Sequence, residues 1–461
     1  MESLELKNKT QQILQLIEEN NKELLPEAVQ EMPTIEVAEI LQSIPIEQME
    51  EVLLAFDVDL QGLLFSNFEE QVQHELFELL EIDVFAEIFM YMDSDVRADF
   101  YQMLESEDQI KLLPFLNKKV REDVIALSAY PPETAGGIMS TDFATIIDDM
   151  SVAQSLEKIR KDAPSRKMVY YVYVVDKQMK MKGFVTLKDL IMESPETSVS
   201  EVVRSDFIFA LVNEDREIVA KKIEKYDLVA IPVLNKMMQL VGIISHDDAL
   251  DVIRAEHTED MEKFMGIVHS GDDSDYFQTG ILQHFKKRAV WLIILAAVGI
   301  ISGMIIHSFE ATLEKLIILA LYMPMMADTG GNSGSQAATV VIRSMALGQV
   351  SLKNWWRVLL KEFSISVLLS VCLALMAFAK ILFLSYETTI PEAYSLTNIA
   401  IIISFALALQ VITSTVIGAG LPLLVKTFKG DPAVVASPAI TTVVDITGLL
   451  IYFWIATTFI L

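Results

Sequence analysis

The last third of the chain carries five apolar stretches, roughly Val290–Ser308, Leu316–Ile342, Phe363–Leu384, Ile399–Leu424 and Ala433–Leu461. Each comes to about the 20 residues or more that an α-helix needs to cross about 30 Å of hydrocarbon. Inside a bilayer every backbone N–H and C=O must find a partner within the protein, so such stretches have to be helices. The sequence before Val290 has another character. Across the chain 64 Asp and Glu oppose 36 Lys and Arg, a formal charge of −28, and that excess sits mainly in this first part. The expectation is a multi-domain α plus α/β membrane protein, soluble and acidic first, with a five-helix transmembrane domain last.

The polar residues inside the apolar part are the informative ones. Asp445 lies in the final stretch with no cation to pair with. A carboxylate near a bilayer centre costs at least about 2.5–3.5 kcal/mol, so it is rarely placed there without a use. Pro438, Thr441, Asp445 and Gly448 fall at i, i+3, i+7 and i+10, on one helix face. That face is polar or small, while the others carry Val, Ile, Leu, Phe and Trp. It reads as a face on a pathway, with an acid that attracts a cation. The plainer alternative is a carboxylate hydrogen-bonded to a neighbouring helix. In the second stretch Pro324 interrupts the helix ladder, and Asp328 to Gln336 follow without one large apolar side chain. Close helix packing explains Gly330 and Gly334. It leaves Asp328, Asn332 and Gln336 to line water or protein.

Basic residues set the topology. Lys286, Lys287 and Arg288 precede the first stretch; Arg343, Lys353, Arg357 and Lys361 lie between the second and third; Lys426 and Lys429 lie between the fourth and fifth. The opposite loops hold Glu310, Glu314, Glu387 and Glu392, with Lys315 the one base. The positive-inside rule then puts the N-terminus in the cytoplasm and the C-terminus outside. The N-terminus has no apolar signal core, which agrees.

Residues 1–130 read as successive helices. Gly62 is their only glycine, and VAEILQSIPIEQMEEVLLAF is echoed by FAEIFMYMDSDVRADFYQML. Stacked repeats forming a small superhelix are expected. The corner MDSDVRADF carries Asp93, Asp95 and Asp99, whose capping role is as good a reading as cation binding. Residues 131–250 alternate strand-like runs (169–176, 181–190, 228–234, 240–250) with helices, in two matching halves. Each half has a central glycine (Gly183, Gly242) and then an Asp that opens a helix, Asp189 and Asp247. This tandem resembles a pair of CBS regulatory domains. Residues 251–280 continue as a connecting helix rich in acids. Such negative charge disfavours a nucleic-acid partner. The single Cys372 provides no disulfide framework.

Pro-x(5)-Gly-Gly-Asn-x-Gly-x-Gln from Pro324 and Ser-Pro-x(6)-Asp-x-Thr-Gly from Ser437 resemble the MgtE family of magnesium transporters. The order of parts agrees over nearly the whole chain: acidic helical domain, AGGIM at Ala135–Met139, CBS pair, connecting helix, five spans. The resemblance implies a homodimer in the plasma membrane, with one Mg²⁺ pathway between the two membrane halves. Asp445 would be the ion-binding acid, and the connecting helix the family's plug helix. Asn332, Ser437 and Thr441 could add oxygens to a hydrated Mg²⁺, which gives up its waters reluctantly. Pro438, Gly448 and Asp328 complete the expected lining.

The same resemblance places regulatory Mg²⁺ on Glu217, Asp227, Asp248, Asp251, Glu256, Glu259 and Asp260. Asp93 and Asp95 are the N-domain candidates. These acids repel when bare, so cytosolic Mg²⁺ would favour a compact, closed form. Some family members resemble ATP binders. Tyr171 and Asp189 match those positions, but Leu228 stands where an aromatic residue is expected. The function expected is a channel-like Mg²⁺ importer, open also to other divalent cations such as Co²⁺. A coupled Na⁺/Mg²⁺ exchanger would need a second intramembrane acid, for which Asp328 is the one candidate. A membrane-anchored enzyme finds no phosphate loop, His-rich motif or nucleophile elbow to support it.

Overall fold

A computed structural model describes the chain apart from residues 1, 163–167, 269–275, 277–278, 389, 392, 435–436 and 461, and apart from the side chains of 2–6 and 168–169. Glu392 and the 269–275 part of the connecting segment therefore lie outside the described residues. The chain forms two compact units, Met1–Glu256 and His257–Leu461.

The first unit opens on short helices governed by a twelve-residue interval. Pro33, Pro45, Asp57, Glu69, Glu81, Asp93, Glu105 and Asn117 each precede a helix with extended backbone. At the same interval Ile40, Val52, Leu64, Leu76, Ile88, Phe100, Leu112 and Val124 are all buried in one core. The echo visible in the sequence is four such intervals long. Helices this short leave their last carbonyls without an intrahelical partner. Polar side chains at the fourth helical position reach back to supply donors. Gln61 Nε2 donates to Phe56 O at 2.7 Å, Gln73 Nε2 to Phe65 O at 2.8 Å, and an Arg97 guanidinium N–H to Met90 O at 3.0 Å. Gln109 Nε2 serves both Tyr101 O at 2.8 Å and Leu104 O at 3.1 Å.

Two three-stranded sheets follow. β1 (Phe143–Ile147), β2 (Met168–Val175) and β3 (Met181–Thr186) form one; β4 (Ala210–Leu211), β5 (Ala230–Leu234) and β6 (Leu240–Ser245) form the other. In each, the first strand is parallel to the second and the second antiparallel to the third. Gly183 pairs with Val174 and Gly242 with Val233, so the two halves match residue by residue. The sequence runs showed four of these strands. They did not reveal β1, or β4, whose two residues are too few to carry an alternating pattern. Tyr173, Val175 and Met181 pack with Ala230, Leu234, Leu240 and Ile243 in a shared core that joins the sheets. After β6 the helix His246–Met265 runs for 20 residues.

Among the described residues of the second unit four helices are long and apolar enough to cross a membrane: Ile281–Ser308, Leu352–Leu384, Leu396–Thr427 and Ser437–Phe459. The helix Ile318–Ala346 has 29 residues, but its polar and small middle keeps it outside that group. It is continuous through Pro324, so the expected interruption of the ladder does not end the helix. A proline deletes one helical hydrogen bond without ending the helix where neighbouring helices hold the backbone. The core of this unit gathers Leu319, Tyr322, Ile381, Ile403, Leu407, Val411, Tyr452 and Phe453. Two buried phenols are satisfied inside it: Tyr452 donates to Leu319 O at 2.8 Å, and Tyr322 meets Ser385 Oγ at 2.6 Å.

Candidate functional site

The C-terminal helix brings Asp445 to a half-buried position, and its Oδ1 is buried with no hydrogen-bond partner among the described residues. The packing alternative asked for a neighbour to satisfy this carboxylate, and for Oδ1 none is present. Thr441, one turn earlier, lies against Gly331 and donates to Ser437 O at 3.0 Å. Ser437 in turn donates to Ser335 Oγ at 3.0 Å. Ser437, Pro438, Thr441 and Asp445 are thus partly open along one side of the helix.

Gly448 departs from that expectation. It is buried, and the space its missing side chain leaves is filled by the Gln410 amide. It belongs to helix packing rather than to the open face. Asp328 is exposed and its Oδ1 accepts from Asn332 Nδ2 at 3.1 Å. With Gln336, these two form an exposed polar stripe along the Ile318–Ala346 helix.

The acids expected to hold regulatory cations fall into different circumstances. Asp95 and Asp99 lie one turn apart on the Ser94–Met103 helix. Burial, then Asp248 and Asp93, push Asp95 up from 3.8 to about 7. Asp99 is also pushed up to about 7, by surrounding protein and then by Glu70, with Arg216 opposing. Asp99 keeps an exposed face, so water screens its share of the effect more strongly. Asp248 is raised by its own burial despite hydrogen bonds from Ser245, with Asp247 and Asp251 adding to the rise. Asp93 starts the helix and acts on Asp95 rather than leading the cluster.

Four of the other expected acids already have cations. Glu256 meets Arg216 at 2.9 Å, Asp251 meets Arg254 at 3.1 Å, and Glu217 is paired with Lys221. Asp227 caps its helix in the left-handed region, φ 50°, which Asp tolerates better than most residues. In the second unit Glu259 lies 2.6 Å from Lys263, which also meets Asp431 at 3.1 Å. Asp260 shares that helix and has partners of its own. Among the described residues no three Asp, Glu, His or Cys side chains form a ready metal cage. Glu70, Arg216, Lys263 and Asp431 escaped the sequence reading. Their partners stand far off in the chain, and only the twelve-residue register hinted at which N-domain acids leave the core face.

At the nucleotide positions Tyr171 packs edge-on against Phe184, ring centroids 5.1 Å apart. Asp189 forms a capping box with Thr186, and its Oδ1 accepts from Arg204 at 3.0 Å. Leu228 packs into the core of the second sheet.

Comparison with known proteins accounts for each part. Residues 323–455 match the family model MgtE, described as a divalent cation transporter. Residues 32–133 match the MgtE intracellular N domain, and 135–196 and 199–255 match CBS domains. The chain is 35% identical over 346 residues to a magnesium transporter MgtE of Thermus thermophilus, covering 75% of this chain and 74% of that one. A magnesium transporter MgtE of Bacillus subtilis is also 35% identical, over 72% and 71%. A crystal structure of the soluble part of a magnesium transporter matches 54% of this chain and 99% of its own, at 25% identity and a TM-score of 0.52. The cytosolic domain of the Mg²⁺ channel MgtE in complex with ATP matches 53% and 99%, at 28% identity and a TM-score of 0.50. The chain belongs to the MgtE family of divalent cation transporters.

Proposed function

We propose that the protein is a channel-like transporter that imports Mg²⁺ down its electrochemical gradient and also passes other divalent cations such as Co²⁺. The observation that carries this reading is Asp445, a half-buried acid in an apolar helix whose Oδ1 no described group satisfies. A hydrated Mg²⁺ fits such a site, because the ion keeps most of its waters and needs few protein ligands. The relatives named above are magnesium transporters, which supports the choice of cation. The non-enzymatic reading follows from the same relatives.

The homodimer, the fifth span and the orientation are parts of the same proposal. The Ile318–Ala346 helix is the fifth span, and its exposed stripe of Asp328, Asn332 and Gln336 cannot face lipid. A second copy covers it and contributes a second Asp445. The basic loops face the cytoplasm of a cell whose plasma membrane holds the protein, and the C-terminus lies outside. The division at residues 130, 250 and 280 gives the helical domain, the CBS pair, the plug helix and the membrane domain. Mg²⁺ at the cytosolic acids, Asp95, Asp99 and Asp248 first, closes the pathway. Glu217, Asp227, Asp251, Glu256, Glu259, Asp260 and Asp93 take part by exchanging or sharing their present partners.

ATP binding at Tyr171 and Asp189 has the ATP complex of a relative's cytosolic domain in its favour. Against it stand Leu228 in place of an aromatic residue and the prior engagement of Asp189 by Thr186 and Arg204. An ATP-dependent rise in melting temperature that Asp189→Ala removes would establish it.

Divalent flux into proteoliposomes tests the main reading. Asp445→Ala abolishes Mg²⁺ flux and Asp445→Glu retains part of it; undiminished flux in the alanine variant overturns the proposal. An exchanger predicts Na⁺-dependent flux that Asp328→Ala disrupts, whereas Na⁺-independent flux surviving that change removes its main support.

A further inference from the structure

Gln410 is a buried polar group of the second unit that the proposed pathway does not use. It lies mid-way along the Leu396–Thr427 helix and is only 1% exposed. Its Nε2 donates to Val444 O at 3.2 Å. Val444 is the residue immediately before Asp445. The amide occupies a slot that two glycines leave open. A Cβ at Gly330 would stand 2.2 Å from Nε2, and one at Gly448 would stand 2.0 Å from Nε2 and 2.3 Å from Oε1. Any other residue at either position collides with the amide.

Simple helix adhesion does not explain this arrangement. Oε1 is buried without a partner among the described residues. A half-satisfied amide in an apolar interior is less favourable than an apolar side chain of the same shape, because the unpaired group keeps its desolvation penalty. Leu or Met opposite two glycines would pack the three helices without that penalty. What an apolar side chain cannot do is fix the rotation and height of the C-terminal helix through one of its carbonyls. That carbonyl adjoins the residue that points the acid.

We infer that Gln410 is a positioning residue of the cation site: bridging Gly330 and Gly448 and holding the Val444 carbonyl, it sets the direction of the Asp445 carboxylate. The inference rests on the reading of Asp445 as the ion-binding acid. Groups that orient a metal-binding side chain typically change metal affinity by about 10–100-fold when removed. An interaction of this kind moves the half-saturating concentration and leaves the maximal rate nearly unchanged.

The experiment measures Mg²⁺ flux into liposomes containing the full-length protein, as a function of Mg²⁺ concentration. Gln410→Met keeps length and volume and removes the donor. It is expected to raise half-saturating Mg²⁺ roughly 10-fold with maximal flux per folded protein nearly unchanged. Gly448→Ala keeps Gln410 but expels its amide, and should shift half-saturation in the same direction. The double variant should be no worse than the poorer single one, because both changes break one contact. Gln410→Glu, which matches the native shape, takes the place of Gln410→Met if that variant does not fold. Unchanged half-saturation in folded variants, or additive effects in the double variant, overturns the inference. Asp445→Ala is measured in parallel. Full flux there removes the site reading itself, whereas abolished flux with an unmoved Gln410 variant removes only the positioning role.

Discussion

Asp248 is the strongest charged influence on Asp95, although the two are more than 150 positions apart in the chain. The relation is uneven. Asp95 is pushed up to about 7, while Asp248 responds first to its own burial and then to Asp247 and Asp251. A buried carboxylate facing another therefore sits between the N-terminal helices and the start of the long helix His246–Met265.

The sign of the resulting pH dependence follows directly. Asp95 binds its proton more tightly folded than unfolded, so its protonated form favours the fold. Its contribution is complete below about pH 4 and is lost as pH rises to about 7, where Asp95 ionises in place. The shift corresponds to at most about 4 kcal/mol. Without divalent cations, the melting temperature of the first unit is expected to fall across this window, and Asp95→Asn should flatten the decline. A variant profile parallel to the native one would show that Asp95 does not titrate there.

Divalent cations should reverse that loss. At pH 7.5 Mg²⁺ should stabilise the native chain against heat and protect the segment near Glu256 from protease, with both effects fading below about pH 6 as protons compete for the carboxylates. Asp95→Asn should weaken both effects. Cleavage at the same rate with and without Mg²⁺ at pH 7.5 would argue against cation sensing by this cluster.

Lys263 already occupies the place of a cation between Glu259 and Asp431. All three side chains are partly open to water, so the pairing is worth no more than about 1 kcal/mol and screens with salt. Lys263→Met should lower the melting temperature slightly at low ionic strength and not at all in high salt. It should also make stability more dependent on Mg²⁺, because two acids lose the base between them. Equal Mg²⁺ dependence in the two proteins would mean the lysine does not compete with the ion.

The polar side chains at the fourth helical position make a separate prediction about stability. Gln73→Leu removes one of the donors to the Phe65 carbonyl, which keeps the Phe68 N–H at 3.3 Å, at a cost of about 0.5–1.5 kcal/mol. Gln71→Leu, two positions earlier on the exposed side of the same helix, should change stability by less than about 0.5 kcal/mol. Thermal unfolding of the two variants compares them directly.

Much of this was legible in the chain. Apolar length announced the membrane helices, and the lone Asp445 and the Asp328–Gln336 run marked the residues of the proposed pathway. The duplicated strand, glycine and Asp order announced the CBS pair. The twelve-residue interval was legible too, but conservative reading caught only one echo of it. Polar Gln61, Gln73, Arg97 and Gln109 occupy positions that an apolar pattern assigns to the core, and they hid the repeat.

The sequence by itself determined most of the helices, four of the six strands described and which acids exist, because these depend on local periodicity and on the cost of burying charge. The tertiary structure decided which acids lack a cation. Asp251 and Glu259 have their bases three and four residues on, a spacing the sequence itself shows. Glu256, by contrast, looks like Asp95 in the sequence, yet Arg216 neutralises it from 40 positions away, while Asp95 faces Asp248 and Asp93. It also turned Gly448 from a pathway residue into the seat of Gln410. Charge pairing and side-chain room depend on distances between residues remote in the chain, and no local pattern encodes them.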